Sequence, residues 1–88
     1  MDINFSKEDI AFRDEVRDWL ANDYPKHVKE KTDSGITISK QDLVDFHKAL
    51  SKKGWMGYNW PTEYGGTGWS ASKLYIFNKE LGLAGCPP

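Results

Sequence analysis

Residues 54–70, GWMGYNWPTEYGGTGWS, constrain the fold more than any other stretch because they combine aromatic and glycine residues without a regular apolar period. Ordering a loop costs about 1–2 kcal/mol per backbone residue, which polar side chains do not recover. A buried aromatic removes roughly 150–250 Å² from water, at about 25 cal/mol per Å². We therefore predict an ordered loop in which the glycines permit bends and the tryptophans turn inward, namely Trp55, Trp60 and Trp69.

A first amphipathic helix is predicted before the loop, over residues 7–22. Ser6 followed by Asp9 is typical of a helix N-terminus, because the hydroxyl accepts from a free backbone N–H. Pro25 disfavours helix at the residue before it, so the helix ends by Asn22 or Asp23. One face of the 3.6-residue period is apolar, formed by Phe12, Val16, Trp19 and Leu20.

A second helix is predicted over residues 40–53. Residues 26–37 carry mixed charge and little apolar pattern, so we interpret them mostly as a connection. Ser39 with Asp42 repeats the start signal, and Gly54 suits the left-handed position that ends a helix. The buried stripe is formed by Leu43, Phe46, Ala49 and Leu50.

A third helix is predicted over residues 71–84, with Ser70 as its N-cap and Gly85 beyond its end. Leu74, Phe77, Leu81 and Ala84 are expected to face inward, and Tyr75 or Ile76 to lie at the margin. No run shows the strict alternation of a half-buried strand. The prediction is a single all-α domain over residues 1–88, with three main helices and an ordered loop over residues 54–70.

Composition narrows the possible partners and compartment. The net charge is -1 with both signs interspersed, which gives no electrostatic footprint for nucleic acid or an anionic membrane. No apolar run approaches the roughly 20 residues that cross a bilayer, and no signal peptide is recognised. One cysteine makes no internal disulfide, so we expect a reducing, cytoplasmic setting.

Few residues in the sequence are candidates for a catalytic or metal-binding role. His27 and His47 lack a second ligand at a convincing spacing, so each is interpreted as an ordinary surface or half-buried imidazole. Glu63 and Glu80 are the carboxylates nearest the loop, and solvation, capping or a structural hydrogen bond is the expected role of each. Cys86 has no activating base nearby. We predict no catalytic, cofactor-binding or metal residue.

The turn over residues 65–68 leads into the third helix, a setting in which backbone N–H groups can bind phosphate. It lacks the lysine of a P-loop and a preceding strand, so a tight turn is the preferred interpretation. The absence of Lys and Arg between Gly54 and Ser70 argues against base stacking on nucleic acid. A small phosphate-binding or nucleotide-binding protein stays open as a further possibility.

The order and spacing of several short motifs resemble the N-terminal helical domain of acyl-CoA dehydrogenases, over essentially the whole chain and in a bacterial-type form. The motifs are Asn4-Phe5-Ser6, Ala11-Phe12-Arg13, Gly54-Trp55, Trp60-Pro61-x-Glu63-Tyr64-Gly65-Gly66-x-Gly68 and Glu80-Leu81-x-x-Ala84-Gly85.

The resemblance implies a larger enzyme with a central β domain and a C-terminal helical domain, usually a homotetramer. Such enzymes bind FAD and desaturate an acyl-CoA thioester between Cα and Cβ. A carboxylate base removes the α proton, hydride passes to the flavin, and electrons go to an electron-transfer flavoprotein. The family's base and most of its flavin contacts lie beyond the N-terminal domain, so no catalytic or FAD-binding residue is carried onto this chain.

The resulting hypothesis is that the chain is the N-terminal portion of such a dehydrogenase, a scaffold that is inactive alone and needs the remainder of its subunit. Apolar surface shaped for the missing domains is expected to cause self-association through the third helix and the Cys86 end. The alternative is a standalone helical interaction module that binds through the aromatic loop, residues 55–69.

Overall fold

The structure is a computed structural model that describes residues 5–87, and this part of the chain contains helices and loops but no strand. The elements are α1 (Lys7–Asn22), α2 (Lys26–Asp33), α3 (Lys40–Lys53), a 3-10 turn (Thr62–Tyr64) and α4 (Ala71–Leu83). The all-α prediction is confirmed. None of these helices is long and apolar enough to cross a bilayer.

Local capping chemistry accounts for the helix starts. Ser6 Oγ accepts from the backbone N–H of Asp9 at 3.1 Å, and the Asp9 carboxylate accepts from the N–H of Ser6. Ser39 and Asp42 form the same reciprocal pair at the start of α3. Gly54 ends α3 in the left-handed conformation, with φ 84°. The predicted bounds of α1 and α3 are therefore confirmed, while α4 ends one residue before the predicted 84.

Helix α2 corrects the prediction that residues 26–37 are mostly connection. The backbone N–H of Lys29 donates to the carbonyl of Pro25. This bond begins the helix, which has no side-chain cap. Val28 is fully buried by packing of α2 against α3. One apolar residue makes no periodic stripe, so the tertiary contact that stabilises this short helix leaves little signal in the sequence.

The helices pack in two pairs, α1 with α4 and α2 with α3. Aromatic rings join the pairs, with Trp55 at the centre. Its ring centroid lies 5.6 to 6.0 Å from those of four neighbours, Phe12, Trp19, Trp69 and Phe77. Tyr24 continues the cluster to α3 through an edge-on contact with Phe46 at 5.6 Å. These tilted and edge-on arrangements are the favoured geometries of aromatic pairs.

The prediction that the loop tryptophans turn inward is confirmed for Trp55, which is 6% exposed. Trp69 is partly buried against the same core. The prediction is wrong for Trp60, which is 52% exposed. The backbone N–H of Trp60 donates to the carbonyl of Gly57, and this tight turn lays the indole against the Gly57 backbone. The glycine therefore provides local packing for the ring, which stays at the surface.

The buried face of α4 is rotated slightly from the predicted one. Phe77 is buried as predicted, but Ile76 is 2% exposed where a marginal position was expected. Leu74, Leu81 and Ala84 are only partly buried. The α4 face is set by its contacts with α1 and with the aromatic loop, which the helical period alone does not define.

Gly66 and Gly82 give a matched test of the loop. A Cβ on Gly66 would lie 1.7 Å from the carbonyl oxygen of Trp60, whereas one on Gly82 meets nothing within 4 Å. We expect Gly66→Ala to destabilise the domain by about 3 kcal/mol. Gly82→Ala should stabilise it by about 0.5–1 kcal/mol, because alanine loses less backbone entropy in a helix. Urea denaturation midpoints measure both, and equal midpoints would contradict the close approach at Gly66.

Candidate functional site

An apolar groove of about 390 Å³ opens between α3, the aromatic loop and α4. We name this feature the α3–α4 groove. The side chains and backbone that line it come from Phe46, His47, Leu50, Met56, Tyr58, Phe77, Asn78, Leu81, Gly82, Cys86 and Pro87. A concavity of this size and composition suits an alkyl chain or an apolar face of another polypeptide segment.

The groove carries little polar chemistry. Among residues 5–87, no Asp, Glu, Lys or Arg lines it, and its polar side chains are those of His47, Tyr58 and Asn78. The Asn78 amide already donates to the carbonyl of Leu74 within α4. The described lining therefore offers no carboxylate for acid–base catalysis.

Glu80 is buried in a structural ion pair, which agrees with the structural hydrogen bond predicted as one of its roles. Arg17 of α1 donates through Nε to Glu80 Oε1 at 2.5 Å and through Nη2 to Oε2 at 3.4 Å. The Glu80 contact raises the pKa of the Arg17 guanidinium. Two charge-assisted bonds thus tie α1 to α4. Glu63 is exposed in the 3-10 turn.

Asp42 is a buried carboxylate that the sequence reasoning used only as a helix-start signal. It is 5% exposed, and its Oδ2 accepts from Lys31 Nζ and from the backbone N–H of Ser39. The hydrogen bond from Lys31 makes the largest contribution to lowering the pKa of Asp42 to about 2, and the bond from the Ser39 backbone makes the next largest. The capping pattern was the available signal for the site, but the Lys31 partner comes from α2, a helix that was not predicted.

The two histidines lie in different places. His47 is half-buried at the α3–α4 groove. His27 is exposed on α2, but its Nε2 lies 2.9 Å from Asp45 Oδ2 on α3. The sequence shows no second ligand for His27 at a convincing spacing, and the structure supplies this acidic neighbour from another helix. The two residues are 18 positions apart, so only the packing of α2 on α3 brings them together.

Cys86 is a free, half-buried thiol. Burial raises its pKa to about 11, a shift that the Tyr24 hydroxyl and the Lys29 charge only partly oppose. Burial likewise raises the pKa of Tyr24 to about 12. Neither group is poised as a nucleophile or base near neutral pH.

The turn over residues 65–68 forms a bend rather than an open phosphate cradle. Gly65 and Gly68 adopt positive φ, 83° and 67°. The N–H of Gly65 donates to the carbonyl of Thr62, and that of Gly66 donates to the carbonyl of Pro61. Two donors that a phosphate would use are thus already bonded, which favours the tight-turn interpretation.

Sequence comparison relates the chain to known proteins. The family model described as "Acyl-CoA dehydrogenase, N-terminal domain" matches residues 6–88. The chain is similar to acyl-CoA dehydrogenase FadE26 of Mycobacterium tuberculosis, with 28% identity over 92 aligned positions. That alignment covers 99% of this chain and 22% of the relative, so the chain spans about a fifth of the relative's length. No solved structure matches.

The described residues form an all-helical domain with a concave apolar face. The family model matches nearly the whole chain, so the chain belongs to the acyl-CoA dehydrogenase family, as its N-terminal domain.

The buried Asp42 gives this domain a specific acid sensitivity. Its folded-state pKa of about 2 lies below the ordinary 3.8, so the unfolded chain takes up the proton first as pH falls. The stability that Asp42 contributes is complete above about pH 4 and is lost as pH falls towards about 2. Asp42→Asn should lower the urea midpoint at pH 7 and flatten its fall over that pH window. An unchanged slope in the variant would contradict the assignment to Asp42.

Proposed function

We propose that this chain is the N-terminal scaffold of an FAD-dependent acyl-CoA dehydrogenase, an enzyme that desaturates acyl-CoA thioesters between Cα and Cβ. Membership of the family supports this proposal. The observation that carries the scaffold role is the α3–α4 groove, which is concave and apolar and has no carboxylate among the described residues that line it. In this proposal the chain contributes shape and packing, and the remainder of the subunit contributes the reacting groups.

The groove does not fit a flavin. FAD carries a diphosphate, and the part of the chain that the structure describes places neither Lys nor Arg in the groove lining. The Gly65 and Gly66 N–H groups are bonded within their own turn. In the proposal FAD therefore binds elsewhere in the complete enzyme, which also holds the α-proton base and passes electrons to an electron-transfer flavoprotein. The predicted cytoplasmic location belongs to the same proposal.

A second candidate function rests on the exposed aromatics of the loop. Trp60 is 52% exposed and Tyr64 is 72% exposed, on a segment held in place by the buried Trp55. Rigid exposed aromatics are typical anchors of protein interfaces. A standalone helical interaction module that uses residues 55–69 would present this surface to a separate protein.

Flavin retention separates the two functions. FAD is added to residues 1–88 and to the polypeptide extended to the natural stop codon of its reading frame, unbound flavin is removed, and absorbance spectra are recorded. The scaffold proposal expects retention by the extended polypeptide alone, with acyl-CoA bleaching its flavin band as the reaction reduces it.

Two other outcomes of the flavin experiment would argue against the scaffold proposal. Retention by residues 1–88 would contradict the absence of a flavin fit in the groove. Retention by neither polypeptide would favour the interaction module. Trp60→Ala then tests the module, which predicts that the variant loses binding to the separate protein. The exposed indole can be removed without opening the core, and an intact circular dichroism spectrum verifies the fold.

Self-association of residues 1–88 is a further expected property, arising from apolar surface near the end of α4. Leu83 is 74% exposed there, and Ile36, between α2 and α3, is 57% exposed. We expect Leu83→Lys to shift sedimentation towards monomer, because it places a charge on the associating face. Ile36→Lys is the matched control and should leave the distribution unchanged. A monomeric wild-type chain at high concentration would contradict this expectation.

A further inference from the structure

Three metal-ligating side chains converge where α2 meets α3, away from the α3–α4 groove. His27 comes from α2, and Asp42 and Asp45 come from α3. His27 Nε2 lies 2.9 Å from Asp45 Oδ2 and 3.7 Å from Asp42 Oδ1. One ligand atom from each residue falls within 4.8 Å of the others. We name this feature the His–Asp–Asp cluster.

The remaining bonds of the two carboxylates leave the converging oxygens available. Asp42 uses Oδ2 for Lys31 Nζ and the Ser39 N–H. Asp45 uses Oδ1 for the Gln41 side-chain amide, at 2.9 Å. The opposite oxygens, Oδ1 of Asp42 and Oδ2 of Asp45, are the ones that face His27. Supporting hydrogen bonds of this kind orient the ligands of protein metal sites.

The spacing suits a metal with short bonds to nitrogen and oxygen. In tetrahedral geometry, ligand bonds of about 2.0–2.2 Å place neighbouring ligand atoms roughly 3.3–3.6 Å apart, and the two distances from His27 Nε2 bracket that range. One imidazole with two carboxylates is a borderline ligand set, suited to Zn²⁺ and its neighbours rather than to Ca²⁺ or Mg²⁺. The Lys31 ammonium offsets one of the two carboxylate charges, so a bound divalent ion leaves the cluster with a small net charge.

We propose that His27, Asp42 and Asp45 form a three-ligand site for a divalent transition metal of the zinc class. The bound ion clamps α2 to α3 and leaves a coordination position for water. The site does not depend on the proposed dehydrogenase function. Without metal, His27 Nε2 instead lies within hydrogen-bond distance of Asp45 Oδ2, and the test must separate this metal-free contact from metal binding.

The test is a titration of the full chain, residues 1–88, with Zn²⁺ by calorimetry, paired with thermal unfolding. One Zn²⁺ per chain should bind, and Tm should rise by about 5 °C or more at saturation. His27→Ala and Asp45→Asn should each weaken binding by about 10-fold or more and abolish the Tm rise. These two side chains are partly exposed, so their removal leaves the core intact.

Two variants serve as matched controls. His47→Ala removes the other histidine and Cys86→Ser removes the thiol, and both lie outside the cluster. Both should bind Zn²⁺ like the wild type. No Zn²⁺ binding by the folded wild type would overturn the proposal and leave only the direct contact between His27 and Asp45. Binding that survives in His27→Ala, or that is lost in either control, would overturn it in favour of another Zn²⁺ site.

Discussion

The aromatic contacts of Trp55 hold the two helix pairs of this domain together. The close helix packing lies within each pair, α1 with α4 and α2 with α3. The Trp55 ring contacts aromatic residues of α1, α4 and its own loop, and Tyr24 extends the cluster to α3. Burial of large rings is the strongest source of hydrophobic free energy available to a chain of 88 residues. The loop that carries Trp55 is therefore part of the core.

Ion pairs reinforce each helix pair at its own contact. Arg17 bonds the buried Glu80 between α1 and α4, and Lys31 bonds the buried Asp42 between α2 and α3. A buried carboxylate is costly unless its hydrogen bonds are satisfied, so these pairs restrict how the helices dock. With the interior packed in this way, the α3–α4 groove stays open as an apolar face. The domain that carries this groove belongs to the acyl-CoA dehydrogenase family.

The success of the helix predictions depended on whether the signal was local. The bounds of α1 and α3 follow from Ser6 with Asp9 and from Ser39 with Asp42, since these hydrogen bonds join residues three apart. Helix α2 has no such cap and a single buried apolar residue, Val28, so its stability comes from α3. The same limit explains the missed pairing of His27 with Asp45.

The sequence by itself determined the helical class, the capped helix ends, the ordered conformation of the aromatic loop and the family motifs. These properties depend on neighbouring residues or on the hydrophobic period, and both are visible in one dimension. Tertiary structure decided that Trp60 stays at the surface, that Glu80 and Asp42 are buried, and that His27 meets two carboxylates. Each of these outcomes depends on the distance between groups remote in sequence, or on a turn geometry that lays a ring on a glycine. Such distances are fixed only when the helices pack.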